Sequence, residues 1–333
     1  MDTHLPSLLG ERLYHADGQI LDEVYEYGSF LQSRMHAKGM RCSDCHDPHS
    51  TRLRAAGNAL CVTCHSAGAP AAGAHIDASG LKRKDYDSPA HHFHKAGKPG
   101  SKCVDCHAPE RTYMVVDPRR DHSFRIPRPD LSAAIGTPNA CTGCHEKKTA
   151  QWAAGAVAKW YGPGRRQEPH YGQALYAGRF GKPGAVQGLI ALVDDRSQPA
   201  IVRATALELL ARYPGRSVLA ALQRGLGDGD ALVRRAAVTG QERLEPAERM
   251  AALAPLLGDP VRAVRIEAAR LLAPAASALA AQHRKGFDQA LAEFEATLAE
   301  NADRPESLAN LGNLYLSRGE AARAEDAYRK AIA

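Results

Sequence analysis

No run of eighteen apolar residues occurs anywhere in the chain, which excludes a transmembrane helix. The opening MDTHLPSLLGERLYHADGQ lacks the basic and apolar regions of a signal peptide. Runs of Lys and Arg are missing too. The formal charge of +6 is scattered among acids with no aromatic-basic platform, so nucleic acid is not an expected partner. Cysteine is absent from the first 41 residues and from everything after Cys144, and after His170 the only histidine is His283. These absences divide the chain. A segment from about Lys38 to Lys148 is rich in Gly, Pro, His, Cys and Arg, and the remainder is dominated by Ala, Leu, Val, Glu and Arg. A composition of 44% hydrophobic and 24% charged residues over 333 positions is that of a folded protein with two or three domains.

The eight cysteines form four identical spacings, each followed at once by histidine: CSDCH (Cys42, Cys45, His46), CVTCH (Cys61, Cys64, His65), CVDCH (Cys103, Cys106, His107) and CTGCH (Cys141, Cys144, His145). This is the pattern of covalent c-type haem attachment. Two intervening residues let one short turn present both thiols to the haem vinyl groups, and the next residue supplies the proximal imidazole. Two zinc sites of four thiolates each, thioredoxin-like redox pairs or a disulfide framework would use the same cysteines. None of them requires a histidine after every second cysteine. The expectation is four haems c, with His46, His65, His107 and His145 as proximal ligands.

Six-coordinate haems need a second imidazole each, and the segment has histidines to spare. His49 in CHDPHS lies too close to its own anchor to reach the opposite face and is expected on a neighbouring haem. His122 stands in an extended Arg/Pro-rich stretch with no cap or core role to explain it. His36, at the end of an expected helix from Leu21 to Ala37, and His94, in the cluster His91, His92 and His94, complete the candidate distal set. His75 is a weaker candidate, and His4, His15 and His170 read as surface residues. Residues 110 to 130 carry Arg111, Arg119, Arg120, Arg125 and Arg128, and some of these are expected to pair with haem propionates. Eight propionates would offset the +6 of the bare chain, so its basicity is no guide to partners.

The words YGSFLQSRM, CSDCHDPHS, HHFHKAGKPGSKCVDCH, TYMVVDPRRDHSFRIPRPDL and TPNACTGCH lie within a span from about Tyr14 to Tyr161. That span resembles the cytochrome c554-like multihaem module, with its doubled CXXCH motif, that is fused to helical repeats in bacterial TPR-containing multihaem cytochromes. The resemblance implies an exported module with closely packed bis-His haems that moves electrons, with His49 and His122 the best-matched distal positions. The chain departs from that family in lacking a signal peptide and in starting at what looks like the middle of the module, so the expectation is either an upstream part with further haems or a misassigned start.

From Gly184 the pattern changes. Val202-Arg203, Val233-Arg234 and Val264-Arg265 recur 31 residues apart, as do Leu226-Gly227-Asp228 and Leu257-Gly258-Asp259. A fixed period with two helices per unit predicts an α-solenoid resembling short HEAT repeats, with the repeated Arg expected to pair with the repeated Asp. In the tail, Leu311, Gly312, Tyr315, Gly319, Ala324, Tyr328 and Ala331 fall where a 34-residue TPR wants them, with Ala290 and Phe294 one period earlier.

The resulting expectation is an all-α chain with a loop-rich tetrahaem cytochrome module over 1–165, HEAT-like repeats over 166–275 and an incomplete TPR over 276–333. It would be periplasmic or otherwise exported and would transfer electrons between redox partner proteins, with docking on the HEAT and TPR surfaces. Two alternatives stand beside it. One is an oxidoreductase acting on a small nitrogen or sulfur compound at a five-coordinate haem; the other is a binding scaffold in which the haem motifs hold zinc or nothing.

Overall fold

The computed structural model describes residues 5–70, 73–165 and 168–332. It is mostly helical, with a single antiparallel hairpin, β1 (Glu110–Tyr113) against β2 (Asp117–Arg120), among the described residues. The chain divides into two compact units, one formed by Ser7–Gly188 with Arg196–Val202, the other by Leu189–Asp195 with the chain from Arg203 onward.

The first unit opens with α1 (Glu26–Phe30) and α2 (Arg34–Ala37) where one helix from Leu21 to Ala37 was expected. Ser33 causes the break. Its extended backbone and its hydroxyl, which accepts the His36 N–H at 3.0 Å, make it the N-cap of a new helix. The four CXXCH motifs then fall on short helices: α3 (Cys42–Cys45), α4 (Asn58–His65), α6 (Cys103–His107) and, after α7 (Pro129–Ile135), α8 (Ala140–Cys144). Between α4 and α6 lies α5 (Pro89–His92). The longer helices α9 (Ala150–Tyr161) and α10 (Tyr171–Arg179) follow.

Burial within this unit is uneven. Leu9, Tyr14, Ile20, Phe30, Tyr113, Leu131, Ala153 and Leu175 are buried, yet no described residue from Arg34 to Gly100 is. A stretch of that length cannot offset its ordering entropy from its own apolar contacts.

In the second unit the core is extensive, with Tyr315, Ala324 and Ala327 in a cluster of their own. It is built on α11 (Ala185–Asp194) and α12 (Ala200–Leu210), both of which cross the unit boundary, and on α13 (Arg216–Leu226), α14 (Ala231–Thr239), α15 (Pro246–Leu253) and α16 (Arg262–Leu272). Val238, Leu253, Leu257, Val264, Ala268, Leu272, Phe287, Ala290 and Leu314 form one buried cluster, the stacked interior of a solenoid. The 31-residue repeat places Arg203 on Asp228 and Arg234 on Asp259, the latter through a two-pronged contact at 2.7 and 2.9 Å. Each aspartate also accepts a backbone N–H at the next turn, from Asp230 and Val261. Arg265 continues the series onto Glu293 at 2.7 Å.

The helices α17 (Ala281–Glu300), α18 (Pro305–Ser317) and α19 (Ala321–Ile332) close the described chain. Gly312 lies where the Tyr328 ring crosses α18; a Cβ there would come within 2.5 Å of Cε1, so only glycine admits the crossing.

Candidate haem-binding site

The four motifs lie side by side in sequence order. α4 packs on α6 and α6 on α8. Cys45 adjoins Cys64, the thiols of Cys61 and Cys103 are in hydrogen-bonding contact, and Cys106 adjoins Cys141 and Cys144. The shifts differ among the thiols: burial, then the neighbouring thiols and Asp105, pushes Cys106 up to about 11, whereas the hydrogen bond with Cys61 lowers Cys103. None is in a disulfide.

Three of the four motif histidines face a second imidazole. The ring centres of His46 and His122 are 6.3 Å apart, those of His107 and His91 6.1 Å, and those of His145 and His94 6.2 Å. An imidazole nitrogen sits about 2.0–2.1 Å from a coordinated metal and about 1.1 Å from its ring centre, so two imidazoles on opposite sides of one iron stand about 6.2–6.4 Å apart. The three separations are those of axial ligand pairs. Between Arg34 and Gly100, where the protein supplies no buried side chain, a porphyrin would supply the missing apolar surface. The residues present therefore fit haem c. They fit tetrahedral zinc poorly, because among the described residues no three His, Cys, Asp or Glu side chains converge on a point.

Local structure aims these rings. His46 follows α3 in extended conformation, and its Nδ1 meets the Thr51 carbonyl at 2.8 Å. His122 Nδ1 meets Arg120 O at 2.9 Å, and His107 Nδ1 meets Arg125 O at 2.7 Å. A carbonyl can only accept, so each Nδ1 carries the proton and each Nε2 is left free for a metal. Burial, followed by the nearby His107, lowers His91 to about 4, and burial likewise lowers His107; both are held neutral, the form that ligates.

His91 and His94 face different motif histidines, His107 and His145, although they are three residues apart. Phe93 caps α5 in the left-handed conformation (φ 57°) and stacks on Trp160 with ring centres 4.6 Å apart, which reverses the chain between the two histidines. Gly100 completes the arrangement: its φ of 87° and its place 2.6 Å from His94 Cδ2, measured from where a Cβ would be, leave no room for a side chain. His92 is structural, its Nδ1 accepting the His94 N–H at 3.1 Å.

The fourth motif histidine differs. Among the described residues no imidazole faces His65; the edge of Tyr86 does, with ring centres 6.3 Å apart, and the Tyr86 hydroxyl donates to Lys82 O at 3.0 Å.

Of the expected distal ligands, His122 and His94 stand opposite motif histidines; His49 and His36 do not. His49 is exposed in a turn built by Asp47, whose carboxylate accepts the N–H groups of His49 and Ser50, and no other ring meets it among the described residues. His36 lies in α2 with its ring edge on Phe30 at 5.3 Å. His91 takes a position that the sequence left undecided. His75 Nε2 bonds the Asp44 carboxylate at 3.0 Å. His4 falls outside the described residues.

His15 and His170 are not surface decoration: Arg111 contacts the His15 ring, and His170 caps α10 by accepting the Gly172 N–H at Nδ1, 3.0 Å. Each of the five arginines of 110–130 has partners within the protein. Arg111 donates to Ile20 O, Arg119 pairs with Asp117 and Glu23, Arg120 donates to Ala108 O, and Arg128 pairs with Asp130. Arg125 reaches Asp17 O at 2.6 Å and Gln32 Oε1 at 2.9 Å. That network holds the carbonyl on which His107 rests, a function its sequence context does not reveal.

Comparison with curated proteins finds no match. Two families cover parts of the chain: the doubled CXXCH motif matches residues 35–70, and HEAT repeats match residues 186–273. The first is a covalent haem c-binding motif associated with electron transfer, and the second is a helical repeat that generally mediates protein interaction.

Proposed function

We propose that this chain is an exported multihaem c-type cytochrome that binds four haems covalently and passes electrons along them between protein partners. The supporting observation is the set of three imidazole pairs separated by 6.1–6.3 Å, each built on a CXXCH histidine. Cys42/Cys45, Cys61/Cys64, Cys103/Cys106 and Cys141/Cys144 would anchor the groups, and His46, His65, His107 and His145 would bind on the proximal side. His122, His91 and His94 would complete three of them. When bound, haem supplies one-electron exchange between ferric and ferrous iron. The protein's part is to hold neutral imidazoles rigidly and to place the four motifs in a contiguous row, α4 on α6 on α8.

Export is inferred from the haem attachment chemistry of the four CXXCH motifs; no helix among the described residues is long and apolar enough to cross a membrane. The solenoid and the helices α17 to α19, whose sequence is TPR-like, would dock partners. A groove of about 430 Å³ between α13 and α15, lined by Leu219, Leu226, Leu244 and Ala252 together with Gln223 and Glu248, is one surface available for this. Maturation of the chain with c-type assembly machinery, followed by haem quantification and a redox titration, tests the reading. Four covalent haems per chain with several one-electron components are expected, and colourless or zinc-loaded protein overturns it.

A second reading is favoured by His65, which no imidazole faces among the described residues. An iron bound there would keep an open position beside Tyr86, as an oxidoreductase acting on a small nitrogen or sulfur compound requires.

A further inference from the structure

The axial imidazoles of this chain are oriented in two ways. His46, His107, His122 and His94 each turn Nδ1 toward a backbone carbonyl, at 2.8, 2.7, 2.9 and 2.5 Å. His91 differs. Its Nδ1 lies 3.1 Å from the hydroxyl of Tyr161, seventy residues away on α9, and the same hydroxyl lies 2.5 Å from the His91 carbonyl oxygen.

A phenol has one proton to donate. The short contact to the His91 carbonyl uses it, because a carbonyl can only accept, and the remaining lone pair of the hydroxyl then accepts the Nδ1–H. This closes a ring of two hydrogen bonds between one side chain and one residue, and it leaves Nε2 unprotonated. The Tyr161 ring is itself held: Phe93 packs edge-on at 5.6 Å and the Arg165 guanidinium lies over its face at 4.1 Å. The outcome at the site is specific. The His91 and His107 rings are parallel to within 2°, whereas the other two pairs are tilted by 33° and 35°.

We propose that Tyr161 is a positioning residue that fixes the tautomer and the ring plane of His91 as the second axial ligand opposite His107. The inference rests on the haem-binding reading above. An acceptor on Nδ1–H makes the imidazole a more basic ligand and so favours ferric iron. Loss of that acceptor raises the potential of this one haem. Loss of the bond also frees the ring plane.

The test is Tyr161→Phe in the full, matured chain, which keeps the ring, its Phe93 and Arg165 contacts and its bulk. The expected result is unchanged haem content, with one component of the redox titration shifted upward by about a threefold change in the ferric-to-ferrous ratio, about 28 mV on a scale of about 59 mV per tenfold for one electron. In the electron paramagnetic resonance spectrum, the rhombic signal of near-parallel axial planes should shift or broaden while the others stay. All components unmoved in both measurements would overturn the proposal. A second measurement does not depend on the variant: the unsubstituted protein must itself show a near-parallel signal, and its absence refutes the positioning role directly. Failure of the unsubstituted chain to bind haem would instead defeat the underlying reading, and haem quantification tells the two apart.

Discussion

Truncating Arg203 to alanine is expected to destabilise the solenoid by about 3–5 kcal/mol, because it leaves the Asp228 carboxylate buried without its cation. The side chains of Arg203 and Asp228 are only 8% and 6% exposed. Arg203 also donates from Nε to Val193 O at 3.0 Å, so its loss strands a carbonyl as well. Asp228 retains the Asp230 N–H at 2.9 Å, which favours the lower end of the range. Arg224 and Asp194 provide the comparison within the same unit. Their contact is likewise two-pronged, at 3.1 and 2.9 Å, but the side chains are 50% and 49% exposed. Arg224→Ala should therefore cost less than about 1 kcal/mol. Arg203 grips Asp228 with its two terminal nitrogens and also holds Val193 O, whereas Arg224 uses Nε and one terminal nitrogen, so the difference reports burial together with that extra hydrogen bond. Urea unfolding followed by helical circular dichroism reads it: with a slope of up to about 3 kcal/mol per molar, the Arg203 variant's midpoint falls by about 1 M or more. Equal losses for the two variants would refute the argument that burial sets the strength of the repeated pair. Replacing Arg203 and Asp228 together by apolar residues should recover most of the loss.

Other expectations concern the haem segment and its support. His122→Ala and His94→Ala should each open one iron to carbon monoxide without loss of covalent haem; Gly100→Ala should mimic the His94 change, because its Cβ would displace that ring, and a silent Gly100→Ala would contradict the packing seen there. His170, lowered to about 4 from an ordinary 6.5 by burial and then by Arg125, is neutral when folded. The unfolded chain takes up its proton first as pH falls below about 6.5, so stability falls between about pH 6.5 and 4 by up to about 3 kcal/mol. His170→Asn keeps an N-cap but does not titrate, and should flatten that part of the pH–stability curve. An unchanged curve would show that His170 does not control it.

What could be read in the sequence was whatever chemistry confines to neighbouring residues or a fixed period. Each CXXCH word is local, because one turn must present two thiols and an imidazole, and the 31-residue repeat announced the Arg203–Asp228 and Arg234–Asp259 pairs that the structure contains. Distal ligands are different, since a ring opposite His107 can come from any part of the chain that folding brings there. His122 drew attention because nothing local explained a histidine in an extended Arg/Pro-rich stretch, and the fold puts its ring opposite that of His46. His49 misled because proximity to a motif says nothing about facing, and the Asp47 turn keeps it at the surface. The single helix expected over Leu21 to Ala37 failed at Ser33, whose capping hydroxyl outcompetes helix continuation. No local pattern links Tyr161 to His91, seventy residues apart.

The most direct test is the carbon monoxide difference spectrum of the fully matured, reduced chain, normalised to covalent haem. The account predicts four haems per chain, three of them closed by His122, His91 and His94, so that carbon monoxide binds at no more than one iron, the one on His65. Binding at two or more irons, or a chain without covalent haem, would contradict it.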